Sequence, residues 1–125
     1  MGQTPRDRRK ALWAGIFAEH LAILLLGLKG YRILAHRFAT REGEIDLVAQ
    51  RGDTLAFIEV KIRPTLEEAR LAIDAGKRRR ISRAVRRWLA VHPWASPLTW
   101  RGDAILVAPW CWPRHAIGVV ELDLD

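Results

Sequence analysis

The chain has 125 residues, half of them apolar, enough for one hydrophobic core and too few to divide comfortably into two domains. Twenty-one Lys and Arg against 14 Asp and Glu leave a formal net charge of +7, which favours a polyanionic partner such as nucleic acid or an anionic membrane. A lone cysteine, Cys111, excludes an intramolecular disulfide, and the absence of Asn removes any N-glycosylation signal, so the cytoplasm is the expected location.

Residues 1–9 read as a polar, flexible lead-in to a single domain spanning residues 1–125. A helix is predicted from about residue 10 to residue 28, ended by Gly27 and Gly30. Its basic lead-in (Arg6, Arg8, Arg9, Lys10) and apolar run imitate a signal peptide or anchor, but Glu19 and His20 interrupt the run. The longest uninterrupted apolar stretch, Leu21 to Leu28, falls short of the roughly 20 residues needed to span a bilayer. A buried amphipathic helix, with no membrane partner, is the expectation. Residues 31–38 read as a first strand, and residues 44–50 and 54–62 as a hairpin with Gly52-Asp53 at its tip. From Lys77, the residues Ile81, Ala84, Val85, Trp88 and Leu89 recur at helical spacing, and the helix must end before Pro93. Residues 104–107 and 117–122 read as two further strands. The order αβββαββ predicts a mixed α/β fold, a central sheet flanked by helices.

A hairpin centred between Gly52 and Asp53 pairs residues whose numbers sum to 105, so Asp46 faces Glu59 and Glu44 faces Lys61. All four then share one face with Val48 and Phe57, and Ile45, Leu47, Ile58 and Val60 take the other. Opposed carboxylates at this spacing repel, which a divalent cation would relieve; Mg²⁺ needs one or two carboxylates and fills its remaining positions with water and phosphate. Lys61 could orient or deprotonate a water and stabilise charge on a phosphodiester. Spacing alone is equally compatible with a solvated outer face in which Lys61 pairs with Glu44 or Glu59. An acidic cluster inside a basic chain favours metal plus polyanion.

The ordered set Ala18-Glu19, Gly30 to Leu34, Gly43 to Val48, Phe57 to Arg63, Ala72-Ile73, Lys77 to Ile81 and Asp103 resembles the YraN-like family, uncharacterised protein family 0102. That family is grouped with the restriction-endonuclease-like superfamily and is similar to archaeal Holliday junction resolvases. The resemblance implies a restriction-endonuclease-like sheet and a PD-(D/E)xK-type site, with Asp46 and Glu59 as the acids holding Mg²⁺ or Mn²⁺ and Lys61 as the motif lysine. It also implies a catalytic place for Glu19, the first-helix acid, over the alternative of a helix-surface or capping carboxylate. Around His20 and Arg37-Phe38 the chain departs from the family pattern, which bears on substrate more than on catalysis. The implied activity is metal-dependent hydrolysis of DNA, branched DNA included, and resolvase-like relatives cut as dimers, so a homodimer is an expected partner. The alternative is a nucleic-acid-binding module that keeps the fold without cleaving.

On the predicted second helix, Lys77, Arg78, Arg79, Arg80, Arg83, Arg86 and Arg87 lie opposite the apolar stripe with no acid at i±4, a surface suited to a phosphate backbone. Of six tryptophans, Trp88 belongs to the core stripe, while Trp110 and Trp112 are candidates for exposure. Cys111 and His115 would supply at most two zinc ligands, short of a structural site. Arg-Gly-Asp occurs at 51–53 and 101–103, both read as turns.

Overall fold

The computed structural model describes residue 2 and residues 4–124. The elements are α1 (Pro5–Leu28), β1 (Arg32–Ala39), β2 (Glu44–Arg51), β3 (Thr54–Ile62), α2 (Leu66–Leu71), α3 (Ala75–Val91), β4 (Thr99–Val107) and β5 (Arg114–Ala116). The five strands lie in sequence order, antiparallel except for β3 and β4, which run parallel. The parallel pair needs a crossover, which α2 and α3 provide. This is the expected mixed sheet flanked by helices.

Side chains alternate strictly along β3, so Leu55 and Phe57 pack toward α3 while Ala56 and Ile58 pack toward α1. On the α3 side, Ile81, Ala84, Val85 and Trp88 form the buried stripe, with Trp88 edge-on to Phe57 at 5.6 Å between centroids. On the other side, Ala18 and Ala22 of α1 lie over Ala49 and Ala56, small residues that bring helix and sheet together.

Helix α1 begins five residues earlier than the apolar pattern indicated. Thr4 and Asp7 form a capping box in which Asp7 N–H donates to Thr4 Oγ1 at 3.1 Å and Thr4 N–H donates to Asp7 Oδ2 at 3.3 Å, and Pro5 occupies the first turn. The cap therefore supplies the start, and the charged residues of the lead-in become helix. Of the lead-in, Met1 and Gln3 lie outside the described residues. Nor is α1 a buried amphipathic helix. Only Ala18, Glu19, Ala22 and Leu26 are buried, and Leu12, Trp13, Phe17, Leu24 and Leu28 stand on the exposed side. By length and composition alone α1 could cross a membrane.

The tail differs from expectation as well. Residues 117–122 are not a strand; β5 comes earlier, pairing Arg114 to Ala116 against Leu106 to Ala104. Gly118, with φ +72°, then turns the chain back, and Val120 N–H bonds Gly102 O at 3.0 Å while the Val120 side chain enters the core. A Cβ on Gly102 would meet Val120 O at 2.1 Å, so glycine is required for this crossing. The second Arg-Gly-Asp is accordingly not a turn but part of β4, whereas the first does form the β2–β3 hairpin tip. In β4, Arg101 reaches Asp103 with two hydrogen bonds of 2.8 Å.

Candidate active site

The β2–β3 ladder follows the predicted register from Arg51–Thr54 to Leu47–Ile58 and stops there. Asp46 and Glu59 are therefore not a cross-strand pair within the ladder. Instead the Asp46 carboxylate takes over the next bond, its Oδ2 accepting from the Val60 N–H at 2.8 Å. Opposite, on β1, Arg37 adopts φ +58°, and the β1–β2 pairing steps from His36–Leu47 to Phe38–Ile45 around it. Alternation breaks at this point: Leu47 packs toward α1 but Ile45 packs toward α3, contrary to a face shared by both.

The opened strands leave a cavity of about 460 Å³ between α1, the sheet and α3, lined among others by Glu19, Glu44, Asp46, Glu59, Lys61 and Lys77. Its far wall is the turn 40–43. Thr40 Oγ1 donates to Gly43 O at 2.9 Å and accepts from Gly43 N–H at 3.1 Å, and a Cβ on Gly43 would stand 2.0 Å from Arg80 O. Glycine thus lets the start of β2 lie against α3.

Glu59 is 5% exposed, and its Oε1 receives Lys61 Nζ at 3.0 Å and Lys77 Nζ at 3.4 Å. Burial, then the charge of Glu59, pushes Asp46 up to about 7. Burial and the neighbouring Lys77 ammonium lower Lys61, making it the readier of the two lysines to lose a proton. Glu19 belongs to the same cavity but has its own partners: His36 Nε2 at 3.1 Å and Arg37 at 3.0 to 3.3 Å on both oxygens. Burial alone would raise its pKa; the bonds from Arg37 and His36 outweigh that and hold it below the ordinary range.

Asp46, Glu59, Lys61 and Glu19 thus converge on one cavity. The Asp46 and Glu59 carboxyl groups also hydrogen-bond one another, two adjacent acids in a cleft with room for water and phosphate. That donor set fits Mg²⁺ or Mn²⁺, which use few protein ligands. Among the described residues no group of three or more His, Cys, Asp or Glu is disposed to hold a metal.

Lys77 does not join the outward basic face. It sits at i−4 from Ile81, on the same row of the helix as the apolar stripe, and this spacing was the signal that could have placed it in the cavity. Nor are the remaining cations of α3 all unpaired. Arg78 lies 3.9 Å from Glu121, Arg83 lies 3.9 Å from Glu42, and Arg86 donates to Asp123 O at 2.7 Å, partners from distant segments that an i±4 search cannot see. Arg79, Arg80, Arg83, Arg86 and Arg87 are exposed along the helix, with Arg80 also bordering the cavity.

The sequence model of the uncharacterised protein family UPF0102 matches residues 18–107, which include every residue of the acid–lysine cluster. A UPF0102 protein of Methylocella silvestris is 57% identical over 117 residues, covering 94% of each chain. One from Methylorubrum extorquens is 56% identical over 120 residues, 95% of this chain and 94% of that protein. A third, from Rhizobium meliloti, is 49% identical over 114 residues, 90% and 93% of the two.

Proposed function

The chain belongs to the uncharacterised protein family UPF0102, and from its cavity we propose that it is a metal-dependent endonuclease hydrolysing DNA phosphodiester bonds, branched DNA included. The observation that carries this reading is the meeting of Asp46, Glu59 and Lys61 where β2 and β3 part, beside a basic helix. A proton on Asp46 is what makes two adjacent carboxylates tolerable, and a divalent cation can take its place. When bound, Mg²⁺ or Mn²⁺ supplies Lewis acidity toward a phosphoryl oxygen and lowers the pKa of the attacking water. Asp46 and Glu59 would hold the cation. Lys61, lowered by burial, accepts the water's proton or donates to the phosphoryl oxygen as charge develops there. Lys77 keeps its charge beside Glu59 and balances the scissile phosphate. Glu19, fixed by Arg37 and His36, adds negative charge near Asp46.

A second reading, a nucleic-acid-binding module without cleavage, is favoured by the contact of both Lys61 and Lys77 with one Glu59 oxygen, which balances charge without a metal. Incubation with junction, flap, duplex and single-stranded DNA, with Mg²⁺ and with Mn²⁺, separates the two. Nicking of any substrate that Lys61→Ala abolishes supports the nuclease. Binding without cleavage across the panel supports the module.

A further inference from the structure

Beyond the acid–lysine cavity, a second cleft of about 490 Å³ opens on the α3 side of the sheet, between α2, the first turns of α3 and the β4–β5 edge. Its floor is apolar, including Leu66, Ile73 and Leu106, and three arginines line it: Arg70 from α2, Arg78 from α3 and Arg114 from β5. Arg78 has only the distant contact with the exposed Glu121, and among the described residues neither Arg70 nor Arg114 has an ion-pair partner. Three guanidinium groups over an apolar floor are a poor arrangement for water alone, since like charges repel and aliphatic surface stays wet. They suit a ligand with a flat apolar body and an anionic edge.

The two clefts are neighbours. Lys77 borders the first and Arg78 the second, so the first turn of α3 is the partition between them. Strand register leads to the same end of the sheet: Lys61 pairs with Leu106, and Leu106 with Arg114. Immediately before Arg114, the chain carries Trp110 and Trp112 in an exposed loop, Trp110 with φ +62°. Arg114 and this loop lie beyond the span that the family model matches.

We propose that this cleft seats an unpaired nucleotide of the nucleic acid held at the first cavity, its base on the apolar floor and its phosphate on Arg70, Arg78 and Arg114. The proposal rests on the nuclease reading for its setting, and it names the substrate class: DNA with unpaired nucleotides next to the cleavage point, rather than uninterrupted duplex. A stacked, paired base cannot enter a cleft of this kind without leaving its helix, whereas a tail or flap nucleotide is already free.

The test needs neither metal nor cleavage. In EDTA, fluorescence anisotropy compares a labelled blunt duplex with the same duplex carrying a short single-stranded tail. The wild-type chain is expected to prefer the tailed DNA, and Arg70→Ala and Arg114→Ala are each expected to lower tailed-DNA affinity about tenfold, the worth of one charge-assisted contact, with duplex affinity held. Val119→Trp, at a half-exposed position on the cleft wall, should abolish the preference by filling the space without altering charge. Melting curves establish that each variant is folded. The proposal is overturned if the arginine variants weaken both DNAs equally or neither, or if Val119→Trp retains the preference. A chain that prefers tails yet cleaves nothing would refute the nuclease and leave the cleft assigned.

Discussion

The carboxylate of Asp46, one residue beyond the last paired rung of the β2–β3 hairpin, accepts a 2.8 Å hydrogen bond from the amide of Val60, two residues beyond that rung on β3. A side chain thus closes the ladder where backbone would otherwise continue it. The bond satisfies a part-buried amide, fixes the carboxylate, and leaves Glu59 beside it on a strand that has begun to diverge.

Asp46→Asn should keep the bond from Val60, since the amide oxygen still accepts, and so should leave the fold intact while removing most Mg²⁺ or Mn²⁺ affinity. Glu59→Gln should do the same to metal binding. In the wild-type chain, the proton that burial and Glu59 hold on Asp46 up to about 7 must leave when the cation binds. Metal affinity should therefore climb as pH rises through 7, with proton uptake by buffer. Calorimetric titrations in buffers of different ionisation enthalpy measure both effects, and affinity indifferent to pH in all three proteins would remove the metal site.

Lys61→Ala should cut the cleavage rate by about 10² to 10³, the usual worth of one preorganised group, while DNA and metal affinity stay near wild type. Lys77→Ala should reduce both cleavage and DNA binding, because this lysine balances charge without taking the proton. Single-turnover rates and anisotropy on one cleaved substrate distinguish the two. Equal profiles for both variants would contradict the division of roles.

Nucleic-acid affinity should fall steeply with salt, and charge reversal at Arg79 and Arg83 should flatten the log–log slope by about one unit per lost phosphate contact. Arg83 is shared with Glu42, 3.9 Å away at the surface, a screened pair that phosphate can displace. Titrations between low and moderate salt give the slopes. An unchanged slope would place the DNA elsewhere.

Asp103, fully buried, is held by Arg101, by His115 at 2.8 Å and by the Gly118 amide at 2.9 Å, and Arg101 continues to the Tyr31 hydroxyl at 2.6 Å. It joins β4, β5 and the end of α1, apart from the acid–lysine cavity. Asp103→Ala should cost about 3 to 5 kcal/mol in urea unfolding, because the half-buried Arg101 and the enclosed His115 side chain lose their partner. Burial would raise this carboxyl, but the bonds from His115, Arg101 and Gly118 win and hold it at about 2, below its ordinary 3.8. A depressed carboxylate stabilises the fold above 3.8, and the contribution, about 2 kcal/mol, disappears as pH falls through 2. The wild-type chain should lose that stability between roughly pH 4 and pH 2, and Asp103→Asn should flatten this part of the curve.

Short-range rules were sufficient for the hairpin, the core stripe of α3 and the mixed sheet, because each depends on periodicity or turn chemistry within a few residues. Gly52-Asp53 sets the register, Ile81 to Trp88 set the buried face, and together they bring Asp46, Glu59 and Lys61 to one end of one hairpin. That Asp46, Glu59 and Lys61 lie close together was legible for that reason. Three features were not, and each turns on contacts between residues far apart. The ladder ends at Leu47 because the Asp46 side chain replaces a backbone partner. The tail after β5 follows Gly118 and the close crossing over Gly102 rather than its own apolar run. The cations of α3 find Glu59, Glu42 and Glu121 across the fold. Sequence by itself determined which residues could carry chemistry and on which elements they ride; only the packing of α1 and α3 on opposite faces of the sheet decided which of them meet, since electrostatics and burial act through space and not along the chain.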